Sequence, residues 1–216
     1  MAAIKELQDA LLAEMDEPLT EYGFKRPARS QSFYGKTPWG KSAFHISFIK
    51  HRDNSDVTAD VAVRIDELEQ LVNEDNARMA EPEKKKTFSL GAELGNISEG
   101  RQKRWTLATS RDVEPVAFSV LTTFRNVGLP YIEKYASPEN AFEALKANNR
   151  ASWLHSPFHA ERCKQIVTLA LLLRRVNELD RLIEACAEYL RGRNDPAVGD
   201  FLSFARGIRA RAAASA

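Results

Sequence analysis

Two adjoining stretches constrain this chain's fold more than any others. In "SAFHISFIK", Phe44, Ile46 and Phe48 fall on one side, with His45 and Ser47 on the other. In "VTADVAVRI", Val57, Ala59, Val61, Val63 and Ile65 share a side, with Thr58, Asp60 and Arg64 opposite. Strict alternation is the period of a strand with one buried face. "HRDNSD" between them has the residue types of a turn, so an antiparallel sheet is expected.

Shorter strands are expected at "SQSFYG" and "RWTLAT", and "TFSLGAEL" points Phe88, Leu90, Ala92 and Leu94 one way. A helix comes first: Ile4, Leu7, Leu11 and Met15 recur at helical spacing and Leu12 widens the stripe. Pro18 should kink or interrupt it. The apolar series resumes at Leu19 and Tyr22, and Gly23 followed by Phe24 reads as a left-handed stop. "IDELEQLVNEDNARM" fits a helix between strands, and "AEPEKKK" a polar loop.

From Asp112 onward the period is helical. Gly128 and Pro130 are expected to end the helix that carries Val116, Val120, Leu121 and Phe124. Ser137-Pro138, Ser156-Pro157 and Asp195-Pro196 each read as an N-cap followed by proline at the first helical position, with Asp112 and Pro115 a looser version. Three closing helices are expected at about Pro157–Val176, Leu179–Arg191 and Pro196–Arg211, with "ARAAASA" a frayed tail. No repeat period emerges. The expected fold is α+β: an N-terminal helix and an antiparallel sheet of about five strands, then a C-terminal helical bundle. The expected domains are an α+β domain over residues 1–111 and an all-helical domain over 112–216 packed against it.

The order of a helix ending in "EYGFKR", then "SQSFYG", then "FHISFIKHRDNSD", then "VTADVAVRI" resembles a widespread bacterial family of domains of unknown function. That family runs from a helix through a Tyr/His-Gly-Phe-basic turn and a Phe-Tyr/Arg strand into two long strands. The resemblance covers Ile4 to Ile65 and extends more loosely to Thr109. Where the family often has a Gln-Lys-Ser-like stretch on the second strand, this chain has "FIKHR". The resemblance implies the fold and brings no catalytic residue with it. By analogy with small α+β proteins that neutralise toxins by direct binding, it suggests an immunity-like role.

The chain has 216 residues with 44% hydrophobic and 28% charged, long enough for a real core and ordinary for a globular protein. Two cysteines, Cys163 and Cys186, make no disulfide framework and fit a reducing compartment. The N-terminus is too acidic for a signal or transit peptide. The longest apolar run, "IVTLALLL", falls well short of the roughly 20 residues of a membrane span. A cytoplasmic protein that makes no membrane contact is expected.

Catalytic and metal signatures are thin. "WLHSPFHAERC" spaces His155, His159 and Cys163 by four, as zinc ligands on one helix face would be. But Ser156-Pro157 should start the helix after His155, Cys163 aligns with the apolar stripe Ile166, Val167, Ala170 and Leu173, and no second ligand pair follows. Cys186 falls beside Leu182, Ile183 and Leu190 and reads as a small buried hydrophobe. His45, Ser47, Asp60 and Arg64 are expected on one sheet face, without a nucleophile elbow or oxyanion signature. "SLGAELG" lacks the Lys-Ser/Thr ending of a phosphate loop. No metal or cofactor is expected.

Charge is the feature that departs most from chance. The net charge is only +1, yet residues 3–21 hold six acids against Lys5, residues 25–52 hold seven Lys/Arg and no acid, and residues 53–83 hold ten acids against Arg64 and Arg78. Phe33, Tyr34, Trp39, Phe44 and Phe48 are interleaved with the bases. This suits single-stranded nucleic acid, where bases stack and cations meet phosphates. The favoured reading of the same blocks is basic strands neutralised by acidic neighbours across the sheet. "GKTPWGK" is a turn, and Trp39 beside Lys36 and Lys41 reads either as an exposed protein-contact anchor or as a Trp folded back over the sheet edge. Arg26 and Arg29 flank it in sequence. Arg206, Arg209 and Arg211 sit near a helix end, where cations offset the dipole. The expected function is a non-enzymatic module that binds another protein through Arg26, Arg29, Lys36, Trp39 and Lys41. The alternatives are nucleic-acid binding through residues 25–52 and an enzyme with an unfamiliar site.

Overall fold

The computed structural model describes residues 4–74, 76–77 and 79–214. They show an N-terminal helix, a five-stranded antiparallel open sheet and a C-terminal helical region. The chain forms two compact units, residues 1–63 with 91–134 and residues 64–90 with 135–216.

In the first unit, helix α1 (Ile4–Glu21) buries Leu7, Leu11, Leu12, Met15 and Leu19. It runs through Pro18 without a break. Met15 and Leu19, both fully buried, hold the turns on either side of the proline in one core. Gly23 at φ 79 ends it. The Gly23 amide donates to Thr20 O at 2.9 Å and the Phe24 amide to Leu19 O at 3.0 Å, the paired bonds of a Schellman stop. Strands β1 (Ser32–Thr37), β2 (Gly40–Lys50) and β3 (Ser55–Ile65) follow. Phe33, Phe44, Ile46, Val57, Ala59 and Val61 are fully buried, as alternation requires.

After β3 come α2 (Asp66–Asn73), α3 (Glu81–Lys84), β4 (Leu90–Glu93), α4 (Leu94–Ser98) and β5 (Trp105–Leu107). The sheet order is β1-β2-β3-β4, and β5 pairs with β3 through Ser55↔Leu107 and Val57↔Trp105. The helix expected over 65–79 is therefore shorter, and Asp75 and Arg78 lie outside the described residues. The "AEPEKKK" loop contains the short α3. The strand expected through Leu94 stops at Glu93, whose carboxylate accepts the amides of Gly95 at 3.0 Å and Asn96 at 2.8 Å and so starts a helix.

Helix α5 (Val113–Thr123) lies beside α1. Gly128 and Pro130 do not end it. The chain continues through a π-turn over Phe124–Gly128 into α6 (Leu129–Tyr135). A Cβ on Gly128 would meet Phe124 Cδ2 at 2.8 Å and Val61 Cγ1 at 3.0 Å. This glycine thus serves close packing rather than a stop. Pro130 is the second residue of α6, where a missing N–H is tolerated. The Phe124 ring stacks on Phe44 at 4.3 Å and meets Phe24 edge-on at 5.3 Å.

The second unit holds α2, α3, α7 (Pro138–Leu145), α8 (Arg150–His155), α9 (His159–Leu172), α10 (Val176–Gly192) and α11 (Val198–Ala214). Helix α9 packs against α2, α7, α10 and α11 and is buried on nearly every side. That is the position of a central core helix. Ser137-Pro138 caps α7 as expected, with Ser137 Oγ accepting the Asn140 amide. Ser156 does not cap α9, which starts at His159 after Phe158; it closes α8 instead, and its hydroxyl donates to Gln165 Oε1 at 2.9 Å. Asp195 accepts the Ala197 amide at 2.9 Å and α11 starts after it. That helix extends to Ala214, so most of the expected frayed tail is ordered, with Ala212 buried. No helix of the described residues is long and apolar enough to cross a membrane.

Candidate functional site

The β1–β2 hairpin is in register through Lys36↔Lys41 and Thr37↔Gly40, leaving Pro38 and Trp39 as a two-residue tip. Proline presets φ at its corner, and Gly40 takes φ 155, which side chains rarely adopt. Trp39 is 51% exposed. On the strands behind it, Phe33 and Phe44 face the core, so Tyr34, Lys36 and Lys41 face the other way. Lys41 Nζ lies 5.9 Å from the centre of the Tyr34 ring. Sequence reasoning did not include Tyr34 in this patch, although its alternation with Phe33 is visible in "SFYGK".

The expected site divides. Lys36, Trp39 and Lys41 come together at the tip. Arg26 is a strut instead: it donates to both Asp16 oxygens, at 2.8 and 2.5 Å, and to Ser30 O. The Asp16 hydrogen bond and charge outweigh burial and hold the Arg26 proton more tightly than usual. Its guanidinium also lies 5.6 Å from the Phe33 ring centre. Arg29 is exposed at φ 62, before the start of β1. The length of β1 separates it from the tip, about 17 Å at strand rise.

Lys25 exchanges both backbone bonds with Tyr34, at 3.0 and 2.9 Å, and so joins the tip face, but the bases of residues 25–52 do not run on as one track. Lys50 and Arg52 stand at the end of β2 opposite the tip. His51 Nε2 pairs with Asp56 at 3.1 Å. Of the five aromatics, Phe33 and Phe44 are sealed in the core, Phe48 is half-buried, and Tyr34 and Trp39 are exposed.

The outer sheet face carries the residues of a hydrolytic reading. His45 Nδ1 bonds to Ser32 Oγ at 2.7 Å, rather than to Ser47. Burial lowers the His45 pKa. Asp60 shares the face but makes no hydrogen bond to His45 among the described residues. Burial and the nearby Glu93 carboxylate push its pKa up to about 6. Glu93 is occupied as the α4 cap. These groups form no proton relay. Cavities of about 440, 510 and 500 Å³ have neither His45 nor His159 in their linings. In the first, Arg64 pairs with Asp66 at 2.7 Å, Lys84 with Glu81 at 2.8 Å, and buried Glu69 lies 4.0 Å from Arg64. Arg64 also donates to Lys84 O and Thr87 O, so it anchors the segment after α3.

His155 ends α8 and packs on Tyr135 at 4.6 Å, while His159 begins α9 and Cys163 is buried. Among the described residues no group of three or more His, Cys, Asp or Glu is placed to hold a metal ion. Cys186 is buried against Cys163, whose thiol is 3.9 Å from Cys186 O.

No family model, curated protein or solved structure matches this chain.

Proposed function

We propose that this chain is a non-enzymatic module that binds another protein through the tip of the β1–β2 hairpin. One observation carries the reading. Trp39 is half-exposed on a two-residue turn, directly beyond a cross-strand pair of like charges, Lys36↔Lys41. Like charges directly opposite destabilise a sheet, and a half-exposed indole gains much less from folding than a buried one. Both are expected where binding rather than stability sets the residue. The partner this chemistry fits has an apolar recess for the indole, rimmed by carboxylates that meet Lys36 and Lys41. A toxin domain neutralised by direct contact is one partner of that kind.

Nucleic acid has less support, since Arg26 is tied to Asp16 and Lys50 and Arg52 stand at the other end of β2, which leaves Lys25, bridged to Tyr34, as the one further base beside the tip lysines. A photo-crosslinking aromatic side chain in place of exposed Tyr34, which leaves the Trp39 indole intact, tests the choice. The expected product is a covalent adduct with one acidic protein, lost on Lys36→Glu. An adduct with nucleic acid, or an adduct indifferent to Lys36→Glu, overturns the reading.

A further inference from the structure

Arg162 is the largest fully buried side chain of the described residues. Its guanidinium donates to Asn148 Oδ1 at 2.7 Å, to Tyr189 OH at 2.8 Å, to His159 Nδ1 at 3.1 Å and to Ser156 O. All four acceptors are neutral, and no carboxylate lies within ion-pair distance among the described residues. A buried cation normally has a counter-charge, because desolvating it alone costs several kcal/mol. Its field also reaches further than that of a solvated charge, since little water screens it.

A second guanidinium stands at the surface beside it. Arg193 Cζ lies 4.6 Å from the Trp153 ring centre and 4.8 Å from that of Tyr189. The His159 ring lies 5.4 Å from each of the same two rings. The exposed Arg193 side chain makes no hydrogen bond or ion pair among the described residues, so its donors are open to solvent. Trp153 Nε1 donates to Tyr189 OH at 3.0 Å, which locks the aromatic floor. His159 Nδ1 serves as an acceptor, so the proton sits on Nε2. Burial, Arg162 and Arg193 all keep this imidazole neutral. Among the described residues the acid that acts on His159 is Asp195, and one of its oxygens is engaged by the Ala197 amide.

We infer that His159 and Arg193, over the Trp153–Tyr189 floor and backed by buried Arg162, form a binding site for a phosphate-type oxyanion. Arg193 supplies the planar, bidentate fork that phosphate geometry matches. His159 Nε2–H supplies a further donor. Arg162 supplies charge without contact. Free phosphate and a phosphate monoester present the same group, and the aromatic floor favours a monoester with a flat apolar substituent.

The test is titration of the full chain with inorganic phosphate and with phenyl phosphate at constant ionic strength, followed by calorimetry and by the Trp153 indole NMR signal. Saturable binding is expected in the millimolar range or tighter, with phenyl phosphate preferred if the source is a monoester and parity if it is the free ion. Arg193→Gln should weaken it by about tenfold or more, the value of one charge-assisted contact. Arg193→Lys should recover part of the loss, and His159→Gln should cost less. Arg209→Gln, an arginine paired with Asp180 elsewhere in this unit, should leave binding unchanged. Both Arg193 variants replace an exposed side chain whose main contact is the Trp153–Tyr189 surface, so melting temperatures should fall only slightly and the fold should hold. No saturable binding, or binding that Arg193→Gln leaves intact, overturns the inference.

Discussion

The two units are stabilised in different ways. The sheet unit is closed by rings: Phe44 stacks on Phe124, Phe24 meets Phe124 edge-on, and Phe33 lies against Phe44 at 6.2 Å. The helical unit has a wired interior. Arg162, Asn148, Ser156 and Gln165 are buried, and Gln165 Nε2 continues the chain to Ser89 O at 2.8 Å. An apolar core tolerates a change of shape if volume is kept, whereas a hydrogen-bonded core fails when one member leaves its partners unsatisfied.

This contrast sets the order of expected effects. Phe124→Ala should cost the most, about 4 kcal/mol in urea denaturation, because it opens a cavity among three rings. Phe124→Leu should recover most of that loss. Arg162→Met keeps the volume but strands the acceptors of the network, and should cost about 3 kcal/mol. An Arg162→Met protein that melts like wild type would erase the distinction, since the polar wiring would then contribute nothing. Asp60→Asn comes next and has the opposite sign. The folded-state pKa of Asp60 is raised to about 6, so its contribution to stability is fully present below the unfolded value and lost as pH rises through 6. The variant should match wild type near pH 4 and exceed it by about 2 kcal/mol at pH 7. A gap that does not change with pH would mean that Asp60 titrates alike in the folded and unfolded chains.

The sheet unit was also the more legible of the two in the sequence. Alternation in residues 42–65 marks most of the side chains that enter the core, though Phe48 is only half-buried and Thr58 on the other side is buried, and Leu19, Gly23 and Phe24 announce a stop that forms with both of its bonds. Such signals are local, so a single chain displays them. What was not legible depended on partners far apart in sequence. Arg162 sits within an apolar stripe, and nothing in "HAERCK" indicates that Asn148 and Tyr189 will meet its guanidinium. Gly128 reads as a stop because its neighbours Val61 and Phe124, which require the missing Cβ, are visible only in three dimensions. Ser156-Pro157 has the form of a cap, but Ser156 closes α8 and α9 starts only at His159. The candidate site shows the same division. The turn that exposes Trp39 is written in "GKTPWGK", whereas the pairing of Arg26 with Asp16 needed the fold.

The smallest expected change in stability belongs to the residues that matter most to the proposed function. Trp39→Ala combined with Lys36→Glu removes an exposed indole and relieves a like-charge pair, so unfolding should shift by no more than about 0.5 kcal/mol. The decisive measurement compares this double variant with wild type for retention of the crosslinked partner and for melting temperature in the same buffer. The proposed function predicts that retention is lost while the melting temperature holds. Undiminished retention with the same melting temperature would contradict it.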